Sequence, residues 1–395
     1  MIREIQIENF KSIKKMKLEL GRVNVFIGEN GSGKSNILEA IALAGAAAAN
    51  KLDNEFLASR GIRAAEPRLM RCALRGENSV SDIAISIGAS DGRRADLRLS
   101  HDGKPYSSWK RDESGVPFVT GDTLQMIQSL ESFFNKHHRE KDAPGYTPSP
   151  TELKEVSASL LKISEDILGV KGIADSLTRF VIFSPENNSL RVFQREGQIE
   201  PLGIQGEGLL KFLRVLSDTP EHEEALAGIR KQLGVLDWFD DLRIPDERVA
   251  LERSIEIADK YLGEEAGELD QVSANEGFLF LLFYFCLFST DLTPRFFAVD
   301  NVDASLNPKL CAHLVTELAS LAGANDKQVI LTTHNPATLD GLDLNDNDQR
   351  LFVISRGDEG ETKIRRIKQK EGSASDVKLS TAFINGYLGG LPKNF

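Results

Sequence analysis

The chain opens on an alternation of apolar and polar positions. Ile5 and Ile7 fall on one face and Gln6 and Glu8 on the other, which predicts a half-buried strand with a hairpin partner near Met16 to Leu20. Val23 to Ile27 (VNVFI) is a mostly apolar strand, interrupted by Asn24, that runs into a glycine-rich loop and then a helix from Lys34 to about Asn50. Asp82 to Ile87 and Ala95 to Leu99 are strand-like. Residues 100–150 are polar and turn-rich, 151–170 read as a helix, and Arg179 to Phe183 reads as a buried strand. From about 206 to 263 helical periodicity recurs in several pieces without a sustained heptad, so no long coiled coil is expected. Phe278 to Phe288 (FLFLLFYFCLF) is apolar throughout. As a helix it spans about 16 Å, roughly half a bilayer core, which predicts a fully buried helix and not a membrane span. Three strands close the pattern: Phe296 to Val299, Val329 to Thr332 and Leu351 to Ser355.

Composition narrows the classes. The 395 residues carry 48 Lys plus Arg against 59 Asp plus Glu, a formal net charge of −11. That balance argues against a dedicated nucleic-acid coat, whose affinity comes from clustered cations, but allows one local basic face. Candidates for such a face are Arg60 to Arg75, Arg93 to Arg98 and Lys363 to Lys370. An apolar content of 41% argues against disorder. Cys72, Cys286 and Cys311 are odd in number and stand at no metal or redox spacing, which fits a reducing, cytoplasmic setting. No apolar signal core precedes the first strand.

Four motifs carry chemistry. Gly28-Glu29-Asn30-Gly31-Ser32-Gly33-Lys34-Ser35, followed by Asn36, fits GxxxxGK(S/T) between a buried strand and a helix. In that motif Gly31 and Gly33 let backbone wrap phosphates, successive N–H groups and the helix N-terminus supply positive potential, Lys34 reaches the β and γ phosphates, and Ser35 places a hydroxyl on Mg²⁺. Phe296-Phe297-Ala298-Val299-Asp300 is a buried strand ending in a carboxylate suited to the Mg²⁺ shell. Val329 to Asn335 delivers His334 at a strand end, where a γ-phosphate would lie. Ser273-Ala274-Asn275-Glu276-Gly277 begins the apolar helix. Its S-x-x-E spacing predicts a capping box, and a capped helix N-terminus is also an anion site.

NFKSIKK followed by VNVFIGENGSGKSNILEAI resembles the opening of RecF-like and SMC-like ATPases, ABC-type enzymes that include bacterial AAA and OLD-like ATP-binding proteins. The ending LSTAFINGYLGGLPKNF is similar to the same bacterial group. The resemblance covers roughly 1–75 and 265–395. It implies an α/β P-loop NTPase of ABC/SMC-head type, with a mixed sheet and a helical insertion lobe. On that basis residues 1–99 and 266–395 are the two parts of the head and 100–265 the insertion. FSPENNSLRVF (183–193) falls in the family's Q-loop region. The family sandwiches two ATP molecules between two heads, so Lys34 and Ser35 would oppose Ser273, Asn275 and Gly277 of a second copy. Ala304-Ser305-Leu306-Asn307 resembles the D-loop that crosses such an interface.

One departure bears on catalysis. The family's Walker B strand usually ends in Asp-Glu, whereas this chain has Asp300-Asn301. A neutral Asn accepts no proton, and general-base help is typically worth about 10²–10⁴-fold. Slow turnover is therefore expected, with Asp303 as the substitute base acting through a water. Functionally, the resemblance implies an ATP-bound homodimer that controls a separate effector, a nuclease or toxin, as in phage-defence and toxin–antitoxin pairs. The alternatives are a RecF-like DNA-binding ATPase and a scaffold that binds ATP without turnover.

Overall fold

A computed structural model describes residues 1–63, 66–74, 81–104, 107–112, 172–193, 197–245, 255–263, 267–368 and 377–391, with residue 265 and short stretches between 128 and 160. The polar 100–150 segment and the 151–170 helix fall largely outside the described residues.

Two sheets carry the architecture. In the first, β2 (Ile13–Glu19), β1 (Ile2–Phe10), β4 (Ile83–Ala89), β5 (Arg94–Ser100) and β6 (Lys110–Arg111) lie in that order, all antiparallel. In the second the order is β13 (Thr362–Ile367), β12 (Gln349–Arg356), β3 (Val23–Ile27), β11 (Gln328–Thr333), β10 (Phe296–Val299) and β7 (Ile182–Phe183). Its strands are parallel except for the edge strand β13. This is the α/β, mixed-sheet fold expected from the sequence.

Because side chains alternate along a strand, the second sheet feeds two cores. Phe26, Phe296, Ala298, Ile330 and Phe352 point to one side. There they bury the helix Lys34–Ala48 against the antiparallel sheet. Val25, Ile27, Phe297, Val299, Leu331 and Val353 point to the other side, onto the apolar helix Glu276–Ser289 and the helix Pro308–Ala324. Every residue from Phe278 to Phe288 is buried, as the uninterrupted apolar run predicts. No helix among the described residues is long and apolar enough to cross a membrane.

Buried polar groups on the sheet are paired, as their desolvation requires. Asn24 sits within the apolar β3 because its amide donates to Gly21 O and Val329 O, 3.1 Å each, and accepts from Gly21 N at 2.8 Å. Gln328 joins the two sheets: it accepts from Ile2 N at 3.0 Å and donates to Ile2 O at 2.6 Å and Gly21 O at 2.8 Å.

The helical periodicity expected in several pieces from about 206 to 263 holds in the first part and needs correction in the second. Two helices, Leu209–Asp218 and Glu223–Leu233, are followed by a two-stranded ribbon, β8 (Phe239–Arg243) and β9 (Glu256–Asp259). A bulge between Phe239 and Asp241 offsets the alternation, leaving Phe239 and Leu242 as its buried apolar pair. The two helices pack into the same core as the apolar helix.

Phe297 is fully buried between Phe183 and Phe288, with ring centroids 6.0 and 5.1 Å away. Phe297→Ala should cost about 3–5 kcal/mol in urea unfolding, because the gap lies between two layers that cannot both collapse.

Candidate functional site

Strands β3, β11 and β10 are neighbours and parallel, so the segments that follow them emerge on one edge of the sheet. Carboxyl ends of parallel strands are where open α/β sheets bind ligands. Residues 28–33 follow β3, Asp300 follows β10, and His334 follows β11.

The loop's glycines have distinct causes. Gly31 and Gly33 have φ of 74° and 107°, a region that favours glycine. A Cβ on Gly28 would lie 2.0 Å from Ile354 O of β12. Gly33 caps the helix Lys34–Ala48 without a side-chain hydrogen bond, so the first N–H groups of that helix face the loop. Lys34 Nζ folds over the loop and donates to Gly28 O at 2.8 Å and Glu29 O at 3.1 Å. Burial pulls its ammonium down to about 8, while Asp300, Asp303 and Glu29 act to raise it. Ser32 is fully buried, and among the described residues its hydroxyl has no hydrogen-bond partner. Asn30 is exposed.

Ser35 Oγ donates to Asp300 Oδ2 at 3.2 Å, bringing the loop serine and the strand-end carboxylate together. The other carboxylate oxygen accepts from Thr332, a fully buried residue of β11 whose hydroxyl also accepts from Asn301 N at 2.9 Å. Thr332 therefore orients Asp300 and fixes the turn after it. Asn301 is exposed with φ of 58°, a left-handed position that Asn tolerates. Asp303 Oδ1 accepts from His334 N at 3.4 Å. Partial burial lowers the affinity of the His334 imidazole for a proton. Lys34 lowers it further, and Asp303 and Asp300 oppose both. Asn36 belongs to a side network: its amide donates to Ser12 Oγ at 2.6 Å.

Ser273, Asn275 and Gly277 form a separate group. Among the described residues no hydrogen bond or ion pair links them to Lys34, Ser35 or Asp300. Ser273 and Asn275 are exposed. The capping box expected here does not form. Asn275, not Ser273, caps the helix by accepting from Phe278 N at 2.8 Å, and Glu276 accepts from Ser305 Oγ in the neighbouring loop. Asp270 shapes the turn by accepting from Ser273 N and Val272 N at 2.8 and 3.1 Å.

Sequence reasoning missed Thr332 and Arg191. Arg191, in the 183–193 segment, donates to Gln271 O (2.5 Å), Val272 O (2.8 Å) and Ala274 O (2.9 Å), tying that segment to the loop before the apolar helix. Its Nε is held by Asn187 Oδ1 at 3.0 Å. No spacing rule marks either residue, because the partners lie far apart in the chain.

A family model described as "AAA domain, putative AbiEii toxin, Type IV TA system" matches residues 23–340. The chain belongs to that family. Its architecture is that of the ABC/SMC-like ATPases of the RecF group. The DNA double-strand break repair Rad50 ATPase of Methanocaldococcus jannaschii is 30% identical over 169 residues, 42% of this chain and 16% of the relative. The DNA replication and repair protein RecF of Clostridium beijerinckii is 28% identical over 105 residues, 26% of this chain and 24% of the relative. An uncharacterized M. jannaschii protein, MJECL10, is 52% identical over 44 residues, 11% of this chain and 20% of the relative. The chain thus spans a quarter or less of the length of these curated relatives. In fold, an Smc head crystallised with the C-terminal winged-helix domain of ScpA superposes with a TM-score of 0.52 at 15% identity, covering 94% of this chain and 98% of that one.

Arg191→Met removes the donors from three carbonyls. Each orphaned group should cost on the order of 1 kcal/mol or more. Hydrogen exchange at residues 271–275 should then quicken about tenfold. Unchanged protection there would show that the loop holds its shape without Arg191.

Proposed function

We propose that the chain is an ATP-binding switch subunit: two copies close around two ATP molecules, and closure is passed to a separate effector, a nuclease or toxin, in anti-phage defence. The observation that carries the reading is the 3.2 Å contact between Ser35 Oγ and Asp300 Oδ2 beside the glycine loop. A hydroxyl and a carboxylate are hard oxygen donors of the kind Mg²⁺ prefers, so these two residues fit the ion that accompanies ATP. The ion, when bound, would neutralise charge on the β and γ phosphates. Asn30, Gly31, Ser32, Gly33 and Lys34 would line the triphosphate, and His334 would sense its γ end. Residues 1–99 and 266–395 would form most of the head, completed by β6, β7 and the two helices between 209 and 233, and the rest of 100–265 would be the lobe that meets the effector. The toxin–antitoxin wording of the matched family supports the defence setting, and a cytoplasmic location follows from the same reading.

The dimer rests on the outward aspect of the signature segment. Ser273, Asn275 and neighbouring Val272 face solvent, which leaves the segment open to a second copy. Asn301 makes the reading specific: turnover is slow and the closed state long-lived. ATP with Mg²⁺ should convert monomer to dimer, with phosphate release lagging far behind, and Lys34→Ala should abolish both. Asn301→Glu should raise kcat by about 10²–10⁴-fold. If the wild type already turns over rapidly and only Asp303→Ala stops it, Asp303 is the base and the slow switch is wrong.

A RecF-like DNA-binding role is the second reading. Arg93 and Arg94 meet Arg3 and Arg350 around one groove of about 430 Å³. Asp91, Asp96, Glu4, Asp348 and Glu19 pair with all four arginines, so much of the charge is compensated and the reading ranks second. Duplex DNA affinity that falls steeply with salt, and falls further on Arg350→Gln, would favour it over the effector switch.

A further inference from the structure

We propose that Arg356 and Thr362, on the hairpin formed by β12 and β13, are positioning residues that hold the glycine loop in its phosphate-binding shape. The proposal rests on the nucleotide reading above and names what that reading leaves unexplained: why the loop keeps its form.

A loop that wraps phosphate turns its N–H groups inward, so its carbonyls turn outward and need donors. Four of them find side chains. Gly28 O and Glu29 O take Lys34 Nζ. Gly31 O takes Arg356 Nε at 2.8 Å, and Ser32 O takes Thr362 Oγ1 at 3.0 Å. The first two bonds are lost when Lys34 turns to a phosphate. The last two come from a hairpin more than 320 residues downstream and can persist through binding.

Peptide planarity gives these bonds their consequence. In a trans peptide the C=O of one residue and the N–H of the next point in opposite directions. Tying Ser32 O outward to Thr362 therefore aims Gly33 N–H inward. Tying Gly31 O to Arg356 fixes the peptide of Ser32, whose N–H closes a turn onto Glu29 O at 3.3 Å. The donors sit on a firm base. Thr362 is buried. Its hydroxyl bonds Ser12 Oγ at 2.6 Å, its N–H reaches Ser12 O at 2.8 Å, and Ser12 in turn holds Asn36. Arg356 also grips Gly360 O within its own turn. The hairpin touches the loop at both ends: a Cβ on Gly28 would strike Ile354 O, and one on Gly33 would lie 2.0 Å from Thr362 Oγ1. The glycines and the hairpin are therefore two halves of one fit.

A purely structural role predicts lost folding stability and unchanged affinity. A positioning role predicts lost affinity that follows the hydroxyl and the guanidinium. The test measures the Kd for ATP with Mg²⁺, alongside the melting temperature without nucleotide. The variants are Thr362→Val, Thr362→Ser, Arg356→Met and Arg356→Lys. Thr362→Val and Arg356→Met should each weaken ATP by about tenfold, the scale of one lost hydrogen bond that organises a charged ligand. Thr362→Ser should stay within about twofold of wild type, since the donor is retained. Arg356→Lys should fall between. Arg356 lies at the surface end of the hairpin, so its variants remain informative if Thr362→Val does not fold. Normal ATP affinity in both Thr362→Val and Arg356→Met overturns the proposal while leaving the nucleotide reading intact. Wild-type protein that binds no ATP overturns both.

Discussion

Because β3, β11 and β10 pair in parallel, residues distant in sequence arrive at one edge of one sheet. Register makes this specific: Thr333 lies opposite Ile27, so His334 and Gly28 leave their strands level, and Val299 lies opposite Leu331, so Asp300 leaves two residues earlier, beside Thr332. The rest of the site elaborates that alignment. Thr332 turns Asp300 toward Ser35, and the loop arches over the helix that begins at Lys34. A one-residue slip in any of the three strands would send its side chains to the wrong core and misplace the group at its end.

That register is held by double burial. One face of the sheet packs on the helix Lys34–Ala48 and the antiparallel sheet, the other on an aromatic-rich helix buried on every side. At the opposite end of the strands Gln328 stitches the sheets together. Nearby, Lys327 is buried with Thr293 and Pro294 oxygens as its acceptors; burial draws its ammonium down to about 8. Polar satisfaction at the far end and apolar packing on both faces leave the carboxyl edge as the surface where chemistry is placed.

The sequence disclosed what is local. The strand, glycine loop and helix at 23–48 are contiguous, and apolar runs marked β10, β11, β12 and the buried helix. The positions that control the site's geometry were not legible. Thr332, Arg191, Arg356 and Thr362 act on groups dozens to hundreds of residues away, and a hydroxyl or guanidinium in a strand carries no sign of its acceptor. The capping box at Ser273 failed for a related reason. The helix starts two residues later than the box requires, capped by Asn275 through Phe278 N, and Glu276 is drawn off by Ser305. β13 was read only as a basic segment because an edge strand exposes half its residues; Lys363 and Arg365 face solvent while Thr362 and Ile367 are buried.

The central claim is that the signature segment of one copy meets the glycine loop of another when ATP is bound. All three native cysteines are buried, which leaves introduced surface thiols as the reactive ones. The most direct measurement mixes two single variants, Ser273→Cys and Asn30→Cys, with a short bifunctional thiol reagent. The account predicts a cross-linked dimer that forms only in the mixture and only with ATP and Mg²⁺. No mixed dimer with ATP, or one that forms equally without it, would contradict the account.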